Sequence, residues 1–219
     1  PVVYADDVDI AENGKVYFTD ATTKFSAKAF GGTLNASLLE ILEHRGNGRL
    51  IEYTPSTGKS KVIMDGLVFA NGVAVSHDQA SVLVNETGNY RVLRYWLGGP
   101  RSGQVDIVID NLPGFPDNIS AARNGGYYVG LASPRSSAVD KLADSPFLRK
   151  IVQRLPKLLR PQGQAYGHLI KISERGEIEL SLQDPTGAFP FTTGAIETDE
   201  ELYISSLTAT AVGVLGLKE

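Results

Sequence analysis

Apolar and polar positions along this chain alternate in short runs, and the runs come in pairs. DVDIAENGKVYFTD, from Asp7 to Asp20, reads as a strand, a polar turn and a second strand. GVAVSHDQASVLVN (72–85), NISAARNGGYYVGL (118–131) and GAIETDEELYISS (194–206) repeat the layout. Period-two alternation broken by a polar turn is the mark of an antiparallel hairpin. The turns are Glu12-Asn13-Gly14, His77-Asp78-Gln79, Arg123-Asn124-Gly125 and Thr198-Asp199-Glu200. Asn-Gly and Asp favour such turns, because they tolerate positive φ or bond their own backbone. Two further strand-like runs follow each hairpin except the last: 48–54 and 61–64, then 91–97 and 105–109, then 167–172 and 177–182. After the fourth hairpin only 211–217 has strand character.

This pattern is a unit of four antiparallel strands, repeated. Asp7, Gly72, Asn118 and Gly194 hold equivalent places and lie 65, 46 and 76 residues apart. A β-propeller blade takes about 40–50 residues, so the two longer spacings hold insertions. The alternative, a β-sandwich, does not explain the recurrence of one strand order in register. The predicted fold is therefore all-β: a partial propeller of about four blades, one domain over 1–219, with blades near 5–66, 67–113, 114–190 and 191–219. In the first insertion, LNASLLEILEHR spaces Leu34, Leu38, Leu39, Ile41 and Leu42 close to a helical period. The second, near 136–166, contains VDKLADSPFLRKIVQRLPKLL, with Ser145 placed as an N-cap before Pro146 at the first helical position. Phe147, Ile151, Leu155, Leu158 and Leu159 form an apolar stripe there. Lys141, Arg149, Lys150, Arg154, Lys157 and Arg160 outnumber Asp140 and Asp144. The expectation is a helix that packs this stripe over one face of the propeller and keeps a solvated basic side. A peripheral contact with an anionic membrane is the alternative.

Composition narrows the classes. The net charge of −4 supplies no field to draw in nucleic acid. A hydrophobic content of 42% in 219 residues supports a normal core and argues against disorder. The absence of Cys excludes disulfides, thiolate metal sites and a Cys nucleophile. No apolar run reaches the roughly 18 residues of a membrane helix. The chain begins at Pro1 and shows no signal peptide, and its compartment stays open.

Candidate chemistry sits at the blade starts. In a propeller the first strand of each blade lines the central axis, so residues opening those strands converge there. Here they are Asp6-Asp7, Asn71-Gly72 and Asp117-Asn118. Mixed carboxylate and amide oxygens suit a hard cation such as Ca2+, and the lack of His or Cys at these places disfavours zinc. Asp and Asn also cap turns, which one such position would explain but three in register do not.

The segments VFANGVAVSHDQ, LVNETGNYRVLRYWLGG, VIDNLPGFPDNIS and VYFTDATTKF resemble the strictosidine-synthase-like family, in particular its adipocyte plasma membrane-associated protein branch. YGHLIKISERGEI and SLQDPTG resemble that branch too, and the resemblance spans the whole chain. It implies kinship with the senescence marker protein/gluconolactonase/paraoxonase superfamily of six-bladed propellers with an axial calcium. It implies metal ligation by Asp6, Asn71, Asp117 and Asn118, with Asp117 also the candidate general base. Three features of that superfamily have no counterpart here: a ligand Glu from the first blade, the paraoxonase-type His pair, and the condensing Glu of true strictosidine synthases, whose place is taken by Thr193 in PFTTGAIETDE. Glu197 lies inside the following strand pattern and is not a substitute.

The implied function is calcium-dependent hydrolysis of a small ester or lactone. A divalent cation polarises the carbonyl and a carboxylate activates water. Amine–aldehyde condensation is not expected. The alternative is a non-catalytic propeller that binds a ligand or partner, with a membrane reached through the basic insertion as one such setting. Phe69 and Phe115 beside the motifs favour an apolar ester. His44, His77 and His168 fall off the axis, Trp96 reads as core, and Glu86 reads as a surface partner of Arg91 or Arg94. Asn35, Asn85 and Asn118 begin glycosylation triplets, a pattern common by chance. Four blades against the superfamily's six point to a piece of a longer protein whose remaining blades complete the ring, or to a short form that closes on another chain; raw sheet edges are otherwise an aggregation hazard.

Overall fold

The computed structural model describes residues 1–217; Lys218 and Glu219, at the end of the expected last blade, lie outside it. Four antiparallel sheets follow one another along the chain. The first contains β1 (Ala5–Ile10), β2 (Val16–Asp20), β3 (Gly48–Thr54) and β4 (Lys59–Leu67). Between β2 and β3 lie α1 (Ala27–Phe30) and α2 (Thr33–Glu43). The second sheet contains β5 (Ala70–Val75), β6 (Ser81–Glu86), β7 (Arg91–Trp96) and β8 (Val105–Ile109). The third begins with β9 (Gly114–Ala121) and β10 (Tyr127–Pro134). It then detours through α3 (Ser137–Leu142) and α4 (Pro146–Arg154), and ends with β11 (Gly167–Ile172) and β12 (Ile178–Asp184). The fourth contains β13 (Thr192–Glu197), β14 (Glu201–Ser206) and β15 (Gly213–Gly216). Strands keep chain order in every sheet, so the first of each is an edge strand, and β1, β5, β9 and β13 pack side by side in succession. These are propeller blades, and the arc matches about half of six-bladed propeller chains.

The core lies between blades. Tyr17, Leu50 and Met64 of the first sheet meet Val73, Val82, Val84 and Leu93 of the second. Leu83 and Val92 then meet Ile119, Val129, Leu131 and Ile170. A smaller cluster of Tyr128, Leu169, Ala195 and Leu202 joins the third to the fourth. A sheet buried on both faces needs apolar residues on both, which explains why β5 and β6 are buried along their whole length. At the two ends of the arc, Val8 and Ile10 of β1 and Ile196 and Val214 of the last sheet are exposed.

Buried Glu40 fixes α2 to the first blade: it accepts from Thr22 Oγ1 at 2.7 Å and from Asn47 Nδ2 at 2.9 Å. The second insertion departs from expectation. α4 docks on α2 through its polar side, with Gln153 Nε2 donating to the Leu39 carbonyl at 3.2 Å and Arg149 buried. Phe147 is 73% exposed and Leu158 96%, and Leu148, Ile151 and Leu159 are exposed as well. The apolar stripe, apart from half-buried Leu155, therefore faces outward, because the seat against α2 is taken by Gln153, which bonds its backbone. Ser145 occupies the cap position before Pro146, but its side chain makes no capping hydrogen bond.

Candidate functional site

Each inner strand carries a β-bulge at the same height. In the first blade Ala5 pairs with Asp20 and Val8 with Phe18, which leaves Asp6 and Asp7 opposite Thr19 alone. In the second, Ala70 pairs with Glu86 and Val73 with Val84, leaving Asn71 and Gly72 opposite Asn85. In the third, Pro116 pairs with Leu131 and Ile119 with Val129, leaving Asp117 and Asn118 opposite Gly130. In the fourth, Thr193 is the extra residue between the pairs Thr192–Ser206 and Gly194–Ser205. A bulge turns the strand locally and re-aims two successive side chains.

The second bulge residue faces the next blade. Asp7 accepts from the Val73 amide at 2.9 Å, and Asp9, two residues on, from Val75 at 2.7 Å. Gly72 has no room for a side chain: a Cβ there would sit 2.5 Å from the Ile119 nitrogen and 2.6 Å from the Asp117 oxygen. Asn118 stands at the seam with the fourth blade, its Cβ 3.1 Å from where a Gly194 Cβ would be. The residue opposite each bulge completes the seam. Thr19 Oγ1 donates to the Asn71 carbonyl and Asn85 Nδ2 to the Asp117 carbonyl, both at 2.6 Å. At Gly130 the Thr193 carbonyl fills the place a Cβ would occupy.

The first bulge residue turns to the axis. The Asn71 amide lies near enough to the Asp117 carboxyl to lower its pKa, and Asp6 near enough to raise it by its charge. Asp117 is 9% exposed and Asn71 4%. Burial first, then the charges of Asp6 and Asp7 push the Asp117 carboxyl up to about 8, against the opposing pull of Asn71. Asp6 still reaches water, but the protein crowded around its carboxyl and the Asp7 charge raise it to about 7. Asn71 Oδ1 is buried without a hydrogen-bond partner. The structure thus brings Asp6, Asn71 and Asp117 together and places Asn118 one step away, at the blade seam. Thr193 comes to the equivalent axial place in the fourth blade, with its hydroxyl 2.5 Å from Ser205 Oγ.

Two features of the site escape a reading of the strand pattern. Thr19 and Asn85 act from the second strand, and only the bulge register shows what they face. The other had a legible signal: an aromatic residue stands two places before each axial residue, at Tyr4, Phe69, Phe115 and Phe191. Tyr4 meets Phe69 edge-on at 5.8 Å. Phe69 and Phe191 adopt the left-handed conformation, φ 60° and 53°, in the turn that leads into the bulge. Such backbone strain in a bulky residue is held by its surroundings.

Other candidates fall elsewhere. His44 caps α2, His77 hydrogen-bonds the Gly126 carbonyl at 3.1 Å, and His168 Nε2 lies 3.1 Å from Ser181 Oγ. Glu197 accepts from the Arg123 amide. Glu86 is not a surface residue: it is buried, holds Arg91 at 2.5 Å and accepts from the Val68 amide at 2.8 Å. Trp96 is half-buried, not core. It lies between Arg94 and Arg101 and donates to Asp106 at 2.7 Å. Asn85 is fully buried, which closes it to a glycan.

Three of the four bulges thus offer an acid or an amide, and known proteins similar to this chain give its family. Residues 6–100 match the family described as Strictosidine synthase. The chain belongs to the strictosidine synthase family. Protein Strictosidine synthase-like 13 of Arabidopsis thaliana is 36% identical over 193 residues, covering 85% of this chain and 46% of that protein. Adipocyte plasma membrane-associated protein of Rattus norvegicus is 33% identical over 223 residues, 98% of this chain and 57% of that one. The chain therefore spans about half the length of these relatives. Among solved structures, the calcium-binding protein regucalcin of Agrobacterium tumefaciens superposes with a TM-score of 0.57 at 13% identity, over 94% of this chain and 55% of that one. At that identity the likeness shows the fold alone. As a strictosidine synthase family member, this chain carries Thr193 at its fourth axial place, and its acids lie in the first and third blades.

Proposed function

We propose that this strictosidine synthase family chain supplies the axial cation site of a calcium-dependent hydrolase of small esters or lactones. The observation that carries the reading is the buried Asn71 Oδ1, unpartnered beside Asp117 in a cluster with Asp6. An oxygen-only set of two carboxyls and one amide fits a hard cation, and a cation would offset the burial and then the repulsion that raise both carboxyls. Asp6, Asn71 and Asp117 would hold calcium, and Asn118 is the fourth candidate, from the adjoining seam. The chemistry that a cation held there would supply is polarisation of an ester or lactone carbonyl. Asp117 is the group in reach to take a proton from water. Tyr4, Phe69 and Phe115 supply apolar surroundings suited to an uncharged ester. Condensation of an amine is not part of the proposal, because Thr193 offers a hydroxyl where that chemistry would need a carboxylate.

The test is turnover of phenyl acetate and δ-valerolactone, with calcium or with chelator. Calcium-dependent turnover that disappears in Asp117→Asn is expected. Turnover indifferent to chelator, or none with calcium demonstrably bound, sinks the hydrolase reading.

The outward stripe of the second insertion favours a second role, attachment to an anionic lipid surface. Phe147, Leu148, Ile151, Leu158 and Leu159 are exposed, and exposed Lys141, Lys150 and Arg154 flank them. Apolar groups that enter the headgroup layer with a basic rim against anionic lipid are the mark of an interfacial helix. No helix is long and apolar enough to cross a membrane among the described residues. Sedimentation with phosphatidylserine vesicles is expected for the chain and strongly reduced in Phe147→Asp/Ile151→Asp. Equal sedimentation of both forms, or of neither, defeats the attachment.

A further inference from the structure

Away from the axis, α2, α3 and α4 of the two insertions line a cavity of about 240 Å³ against the β6–β7 turn of the second blade. Its apolar wall includes Ile41, Leu42, Val139 and Leu142. Arg149 lines it from α4 and is 8% exposed. Among the described residues no carboxylate lies within 4.0 Å of that guanidinium. Arg149 Nη1 donates to the Ala143 carbonyl at 2.6 Å, and Nε is buried without a partner.

The other charged groups of the cavity are accounted for. Arg135 pairs with Asp140 at 3.2 Å, bonds Asn111 and stacks on the Tyr90 ring at 4.2 Å. The Tyr90 hydroxyl lies by Asp140 without a hydrogen bond of normal geometry. Burial and the Arg149 charge lower the pKa of His44, so its imidazole is not a competing cation at neutral pH. Of the two carboxylates whose charge reaches His44, Glu86 is held by Arg91 and Asp144 is beyond ion-pair distance of Arg149. Among the described residues Arg149 is left as a buried cation without a counter-ion at ion-pair distance. A guanidinium cannot shed its proton to escape that cost, and an apolar side chain would fill the same place without it.

We infer that this cavity is a binding site for a small organic carboxylate, with the head on Arg149 and the tail against Ile41, Leu42, Val139 and Leu142. One unpaired guanidinium matches one negative charge, and the Asp140 carboxylate disfavours a doubly charged phosphate. The apolar wall selects an anion with a hydrocarbon end. The site is independent of the axial cluster and of the hydrolase reading.

The test is titration calorimetry and thermal melting of the 219-residue chain in chelator, so that no axial cation contributes. Hexanoate is the probe, hexanol supplies the tail without the charge, and inorganic phosphate the charge without the tail. Saturable hexanoate binding that raises Tm is expected, with no response to hexanol or phosphate at the same concentration. Arg149→Met is expected to weaken hexanoate about tenfold to a hundredfold, the worth of a charge-assisted hydrogen bond, and to raise the ligand-free Tm. Val139→Asp puts a carboxylate in the cavity and should block hexanoate with the chain folded, which keeps the test decisive if Arg149→Met fails to fold. No hexanoate binding, equal binding to Arg149→Met or Val139→Asp, or phosphate binding as tightly as hexanoate overturns the inference.

Discussion

Asp117→Asn is expected to lower calcium affinity by roughly a hundredfold, because the site loses its most buried negative charge. Without calcium the same change should stabilise the fold, and the pH dependence shows why. The folded Asp117 carboxyl sits near 8 against an ordinary 3.8, chiefly through burial and then through the charge of Asp6. The folded chain therefore keeps a proton that the unfolded chain has lost, and stability falls as pH rises from about 4 to about 8. Asn at 117 carries no proton to lose and no charge to repel Asp6, so the decline should become shallower and the cation-free Tm above pH 8 should exceed that of the unaltered chain. Calcium reverses the dependence. It needs the ionised carboxylates, so its affinity should climb through the same pH range. Melting curves at pH 6 and 8.5, with calcium or chelator, measure all of this. If the Asn variant binds calcium as tightly, or if calcium never raises the Tm of the unaltered chain, the axial cluster is not a cation site.

Gly72→Ala should cost about 3 kcal/mol or more of stability, the upper range for overpacking, since what it meets is backbone and cannot rotate aside. The new methyl would fall 2.5 Å from the Ile119 nitrogen and 2.6 Å from Asn118 Cα, on the strand that carries Asp117. Either the second and third blades part or the bulge flattens, and both move Asp117 away from Asn71. Urea unfolding and calcium titration of the same variant should therefore fail together. A variant with an unchanged midpoint would show that these two blades do not approach backbone to backbone.

The strand framework is legible in the chain because a sheet's side chains alternate with period two, and turn residues punctuate it. Runs 48–54, 105–109 and 167–172 coincide with β3, β8 and β11. The equivalent places of Asp6, Asn71 and Asp117 in successive blades were also legible, since each opens the first strand of its repeat. Asn118 shows where that reasoning loses resolution. It adjoins Asp117, and a bulge sends two neighbours in different directions, one to the axis and one to the blade seam. The orientation of the second insertion failed for a related reason. An apolar stripe predicts burial only when something apolar is there to cover it, and α2 offers α4 the Leu39 carbonyl instead.

The sequence by itself determined the repeating four-strand unit, the two helical insertions and the residue types offered to the axis, because each is written in local periodicity and recurrence, while the family resemblance was carried by particular motifs such as ANGVAVS and LPGFPDNI. Only the tertiary structure decided which residue of each bulge faces the axis, that Thr19 and Asn85 lock one blade to the next, and that Arg149 is buried with no carboxylate at ion-pair distance among the described residues. Those outcomes depend on bulge register and on contacts between residues distant in the chain, and no pattern within a single strand or helix encodes them.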